Sequence, residues 1–172
     1  MNISQYRNEA ARTIKNLGSP ILNSIHLTSG MMTELIELIE ATAPGDILDE
    51  ATDVLWYLAN YCNQYDLKLE QKDEPLSTRF VNVVLIMIKL AGKLLDFDKK
   101  NLAYGKHYNK DVQQETVQRL FDLIHGHISS NQMTIEDGMD KNIKKLYIRF
   151  PGEATGELAI NKDEAKEKEV FK

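Results

Sequence analysis

The sequence predicts an all-α helical bundle, and three observations carry that expectation. Apolar residues recur three and four positions apart along most of the chain, the spacing of one helical face. Proline and glycine breaks are far apart, which argues against a succession of short strands. The hydrophobic fraction, 42% of 172 residues, suffices for one packed interior.

The first helix is expected over 5–16, capped by Ser4, with a stripe of Ile3, Tyr6, Ala10, Ile14 and Leu17 and a stop at Gly18. Ser19 and Pro20 then read as an N-cap followed by proline at the first helical position. The second helix runs over 20–43. Gly30 at its centre costs about 1 kcal/mol of helix propensity, so close packing or a bend is expected there. Pro44 and Gly45 end it, and Asp46 caps a third helix over 47–65. Leu48, Ala51, Leu55, Leu58, Ala59 and Cys62 form the core face of that helix.

Residues 66–77 are polar, contain Pro75, and read as a linker. A fourth helix is expected over 78–103, ended by Tyr104 and Gly105. A fifth follows over 112–128, capped by Asp111 or Asn109. A sixth covers 134–150, where Thr134 and Asp137 have the spacing of a capping box. Residues 1–150 thus make one domain, and 151–172 a charged tail that packs loosely or orders through a partner.

The bulk numbers exclude some roles. A formal charge of −5 argues against coating a nucleic-acid polymer. The longest apolar run, 80–90, is interrupted by Asn82 and Lys89 and is too short for a bilayer, so no membrane partner is expected. The N-terminus lacks the design of a signal peptide. A single cysteine, Cys62, allows no internal disulfide, and a cytoplasmic location is expected.

The chemistry concentrates in 33–60, TELIELIEATAPGDILDEATDVLWYLAN. It holds two carboxylate pairs, Glu34/Glu37 and Glu50/Asp53, each spaced i, i+3. Residues so spaced stand side by side on a helix, with Cβ atoms roughly 5–6 Å apart. If the break at Pro44 folds the two helices antiparallel, four acids converge and repel. A hard cation with oxygen ligands, Mg²⁺ or Mn²⁺, is the usual remedy. The bland rival is a solvated acidic face, but Glu34 and Glu37 sit among strongly apolar neighbours.

The pattern of this stretch recurs. SGMMTELIELIEATAPGDILDEATDVLWYLANY aligns with LIMIKLAGKLLDFDKKNLAYGKHYNKDVQQETVQRLFDLIHG, giving repeats over 19–65 and 78–130. Glu34, Glu37 and Asp53 correspond to Leu90, Lys93 and Gln118, and only Glu50 keeps an acid, Glu115. The second copy is basic and aromatic instead, with Lys99, Lys100, Tyr104 and Lys106. Two such hairpins imply a pseudo-two-fold arrangement within one chain.

E-x-x-E followed by E-x-x-D, with LWYLA after the last acid, resembles the MazG-like all-α nucleoside triphosphate pyrophosphohydrolases of phage and bacterial type. QYRNEAARTIKNL resembles the opening helix of small members. AGKLLDFDKKNLAYGK resembles the family's G-E-L-x-D-x-x-K-K…Y-G-K segment, with Lys93 where the acid would be. NIKKLYIRFP, with AINKDE downstream, resembles a C-terminal N-x-x-K-L-x-x-R-Y-P element, with Phe150 in place of Tyr. The four stretches stand in family order and touch most of the chain.

The resemblance implies Mg²⁺-dependent hydrolysis of a (d)NTP to (d)NMP and pyrophosphate. Glu34, Glu37, Glu50 and Asp53 would be the metal ligands, with Glu37 or Glu50 orienting or deprotonating the attacking water. Lys99, Lys100 and Lys106 would neutralise the pyrophosphate. Lys145 and Arg149, i, i+4 on the sixth helix, would clamp phosphates or serve as ordinary surface cations. Trp56 or Tyr104 offers a face for the base, although Trp56 and Tyr57 fit a core better than a base-stacking role. His26, His107, His125 and His127 have no metal spacing with the cysteine and read as structural or surface residues. Family members are commonly dimers; here a homodimer and a self-sufficient pseudo-dimer both stand open. Two other functions compete: a non-catalytic nucleotide-sensing or partner-binding helical module, and a hydrolase of diphosphate linkages in larger metabolites.

Overall fold

The computed structural model describes residues 1–77, 82–152 and 154–172, and the protein is all-α, its helices packed as a bundle. The described helices are α1 (Ile3–Ala10), α2 (Pro20–Glu40), α3 (Pro44–Tyr65), α4 (Val83–Tyr104), α5 (Lys110–Ser130), α6 (Ile135–Arg149), α7 (Gly156–Ile160) and α8 (Glu164–Glu169). None of them is long and apolar enough to cross a membrane.

Helices α2 to α5 make the centre. α2 packs on both α3 and α4, and α5 packs on both α3 and α4. Leu27, Met31 and Leu35 of α2 meet Leu48, Leu55 and Leu58 of α3, Met87 and Leu94 of α4, and Leu120 and Phe121 of α5 in one continuous core. Removing that much apolar surface from water is the main term holding the bundle together, at about 25 cal/mol per Å². Cys62 lies within this core as a small apolar residue.

The element boundaries differ from expectation in instructive ways. α1 starts earlier, because Asn2 and Gln5 form a reciprocal capping box. It ends at Ala10, where Arg12 and Thr13 donate to the carbonyls of Glu9 and Ala10 and close the turn. Leu17, expected on its stripe, is exposed. Pro44 does not separate two helices with Asp46 as cap. It is the first residue of α3, and Ala43 is the cap. A proline costs nothing there, since the first N–H of a helix has no intrahelical partner. Only residues 41–43 therefore join α2 to α3. α4 is capped by Asn82, and the expected start at Thr78 lies outside the described residues. Asn109 caps α5, accepting from the backbone of Asp111 and Val112.

The start of the expected linker is pinned. Leu67 and Leu69 are buried. The side-chain amides of Gln114 and Gln118 each accept from and donate to this backbone, at Lys68 and Glu70, all four bonds at 2.9 Å. Gln118, aligned with Asp53 in the expected repeat, thus serves as a backbone clamp.

Two close approaches set the helix spacing. A Cβ on Gly30 would lie 2.2 Å from Tyr57 Cε1, so the glycine lets α2 and α3 close around that ring. A Cβ on Gly138 would lie 2.8 Å from Thr52 Cγ2 and 2.9 Å from Leu48 Cδ1. That contact seats α6 against α3, and Asn142 and Lys145, one and two turns on, follow on the same face. The charged tail folds back. α8 packs on α6, with Glu167 and Phe171 buried.

Candidate functional site

The antiparallel closure of α2 on α3 brings Glu34 of α2 beside Glu50 and Asp53 of α3. Carboxylate oxygens of the three lie within 4.8 Å of one another. Glu37, one turn further on α2, and Asp49 join them in lining a polar cavity of about 310 Å³. All four acids singled out from the sequence therefore share one cavity, with Glu37 exposed and outside the tight trio.

Electrostatics mark this as a crowded site. Burial, and then the charges of Asp53, Glu37 and Glu50, push the Glu34 carboxyl up to about 8. Burial, followed by Asp53, Asp49 and Glu37, pushes Glu50 up to about 7. Asp49 is raised by burial too, against the pull of Lys145. Tyr57, beside the trio, is pushed up to about 12 by burial and by Glu34.

One cation is built into the cluster. Lys145, whose side chain is only 3% exposed, places Nζ 2.5 Å from Asp49 Oδ1 and 2.6 Å from both oxygens of Asp53. Burial opposes its charge, but Asp53 and Asp49 outweigh burial and hold the ammonium well above its usual range. Asn142 Nδ2 donates to Asp53 Oδ1 at 2.7 Å, and Tyr6 OH donates to Asn142 Oδ1 at 2.8 Å. Asp53 is thus oriented through a buried relay that reaches α1.

The expected phosphate-binding groups divide. Lys145 lines the cavity, but as a counter-ion of Asp49 and Asp53 rather than an outward clamp. The close approach at Gly138 turns it inward. Arg149 lines the cavity too, and its guanidinium forks onto Glu167, with Nε donating to Oε1 at 3.0 Å and Nη2 to Oε2. Lys99, Lys100 and Lys106 do not line this cavity within the chain. Lys99 and Lys100 both reach Asp96, one turn back on the exposed face of α4, and Lys106 is exposed beyond the end of that helix. Tyr104, 73% exposed at the end of α4, is no stacking wall for it either. In place of these groups, Lys162, Glu164, Glu167 and Lys168 of the tail complete the cavity wall.

An apolar slot of about 210 Å³ adjoins the acids and shares Glu34, Asp53 and Arg149 with them. Trp56, Tyr57, His26 and Phe150 supply its aromatic walls. Trp56 is held by its Nε1–H donating to Thr13 Oγ1 at 2.9 Å, and Tyr57 packs edge-on against both Trp56 and His26. A wider cleft of about 590 Å³ lies beyond Asp49. Its wall mixes Asp46, Asp49 and Asp137 with Lys141, Lys168 and Lys172, a balanced set of charges.

Sequence reasoning missed Asp49, Asn142, Tyr6 and Glu167. Asp49 carried a usable signal, since Asp49 and Asp53 are i, i+4 on one face. Asn142 and Lys145 had one as well, as i, i+3 on the element N-x-x-K. Nothing local marked Tyr6 or Glu167, because their roles come from tertiary contacts alone. Comparison with protein-family models, curated proteins and solved structures finds no match to this chain.

Proposed function

We infer that the protein is a Mg²⁺-dependent nucleotide pyrophosphohydrolase of the MazG-like type, converting a (d)NTP to (d)NMP and pyrophosphate. The observation that carries this reading is the convergence of Glu34, Glu50 and Asp53 within 4.8 Å at a polar cavity that abuts an aromatic slot. The donor set fits the ion. It is all carboxylate, burial and then crowding raise Glu34 and Glu50, and hard oxygen ligands suit Mg²⁺ or Mn²⁺.

Glu34, Glu50 and Asp53 would hold the metal, with Asn142 and Lys145 fixing the rotamer of Asp53. Bound Mg²⁺ would neutralise phosphate charge and keep the phosphates in line for attack. Glu37, at the cavity but outside the trio, would orient the attacking water and accept its proton. The slot walled by Trp56, Tyr57 and His26 would take the base and sugar, excluding water from one side of the reacting phosphate. Little else is required of the protein, because phosphoryl transfer depends mainly on positioning and charge stabilisation.

Nucleotide binding without turnover is the second reading, favoured by the ammonium of Lys145 already resting on Asp53. One experiment separates the two. Purified protein is incubated with a panel of NTPs and dNTPs plus Mg²⁺, and pyrophosphate and monophosphate are quantified. Turnover that Glu50→Gln abolishes supports the enzyme. Binding without product supports the sensor. Failure of every nucleotide to bind or react overturns both.

A further inference from the structure

We propose that Glu167 stands in for a substrate phosphate on Arg149, and that a polyphosphate enters the cavity by exchanging with this carboxylate and releasing α8. The proposal rests on the reading above only in taking the ligand to be a polyphosphate.

The geometry of the pair is that of anion recognition. A carboxylate lying across a guanidinium fork through both oxygens occupies the positions that two phosphate oxygens would take. Arg149 lines both the acid cavity and the aromatic slot, so an anion on it sits between the metal-binding acids and the base site. The Glu167 side chain is 5% exposed, although its helix is six residues long and reads EAKEKE. A helix so short and so polar has no stability of its own in water.

Two contacts tie the arm to cations of the site, beside the apolar packing of Val170 and Phe171. Glu167 takes Arg149. Phe171, buried just beyond α8, sets its ring 5.5 Å from the Lys145 ammonium and places its backbone carbonyl against Gly45. The order of the C-terminal arm therefore reports on the charge state of the cavity. A phosphate that captures Arg149 removes one of the two contacts. Lys162, which lines the same wall ahead of α8, stays beside the incoming anion.

The test uses inorganic pyrophosphate with Mg²⁺, titrated by calorimetry into the full chain. Glu167→Gln removes the competing charge, and pyrophosphate should bind about fivefold more tightly, a change easily read as a shift in Kd. In an Arg149→Gln background the same substitution should change nothing, because the competition is for Arg149. Amide hydrogen exchange on the unmodified chain gives a second reading, with residues 164–171 exchanging faster once pyrophosphate is added. Unchanged affinity with unchanged exchange overturns the proposal. So does a tightening that persists without Arg149, since that is a general charge effect, and so does the absence of pyrophosphate binding to any variant. Pyrophosphate binding needs no turnover. A catalytically silent protein showing these shifts keeps the proposal, and an active one lacking them loses only the proposal.

Discussion

Two carboxylate settings in the molecule, one fully buried and one half-buried, are treated in opposite ways. Asp98 of α4 is fully enclosed, yet Ser24 Oγ donates to it at 2.6 Å, Thr28 Oγ1 at 2.7 Å, Tyr65 OH at 3.4 Å, and Tyr108 OH closely as well. The cage ties α2, α3, α4 and the loop before α5 together. At the other place, Glu34, Glu50 and Asp53 crowd one another with Lys145 as their buried cation. A carboxylate saturated with hydroxyl donors has nothing left to offer a ligand. Acids that outnumber their donors hold coordinating capacity in reserve, at a cost in the metal-free state. The difference separates a structural acid from a candidate metal ligand without reference to sequence position.

The largest effect should come from Glu50→Gln. If the trio holds the metal, turnover of the best nucleotide should fall by about 10²–10³-fold, the scale of removing one charge-stabilising group. The fold should not suffer, because the substitution relieves repulsion within the trio. Melting without metal should stay level or rise. Full activity in this variant would remove the acid cluster from the mechanism. Lys145→Met is next, and it breaks the cluster in the other direction. It strands Asp49 and Asp53 without their partner, and leaving buried charge unpaired costs about 3–5 kcal/mol. Excess Mg²⁺ should restore part of that loss in a thermal melt. A phosphate clamp would instead show a raised KM on an unchanged melt.

Asp98→Asn tests the other half of the contrast. It keeps the shape but turns one acceptor into a donor facing hydroxyls, at a cost of about 1–3 kcal/mol. For a chain of this length that lowers Tm by about 2–4 °C per kcal/mol. Mg²⁺ should give no rescue, since the cage has no role in binding it. A metal-dependent melt in Asp98→Asn would merge the two places into one system.

Much of this was legible in the sequence, for a physical reason. Helical period is a local property, so the helices and the core face from Leu48 to Cys62 could be read directly. The i, i+3 acids could be read as well, because their convergence needs only that α2 and α3 close as a hairpin. What could not be read depends on distant partners. Where α1 ends turns partly on Thr13 accepting from Trp56. Asp96 and Asp98 look alike two residues apart, but only packing decides that one pairs with Lys99 at the surface and the other enters a cage. Lys145 was recognised as a cation of the site. Whether it faced ligand or acids was decided by the close approach at Gly138. The tail has no apolar stripe to announce a helix. Its order comes from partners elsewhere in the chain, Arg149, Lys145 and the core that receives Val170 and Phe171, which the pattern of residues 164–172 does not reveal.

The smallest effect, and the one that compares the two places within a single protein, is the pH dependence of stability. Glu34 and Glu50 have folded-state values raised to about 8 and about 7 from an ordinary 4.5. A raised carboxyl contributes stability that is complete below its unfolded value and is lost as pH climbs through the folded one. Metal-free protein should therefore melt at progressively lower temperature between about pH 5 and pH 8. Both groups are partly open to solvent, so the screened effect is about 1–2 kcal/mol, or about 2–8 °C. Asp49 and Asp98, also raised by burial, slope the same way. Saturating Mg²⁺ should bind more tightly as the trio deprotonates and so flatten the part of the curve that belongs to Glu34 and Glu50. The slope due to Asp98 should persist. A decline that Mg²⁺ leaves untouched, or one that survives in Glu34→Gln/Glu50→Gln, would assign it to the cage and Asp49, and the trio would lose its claim to be the strained partner of the pair.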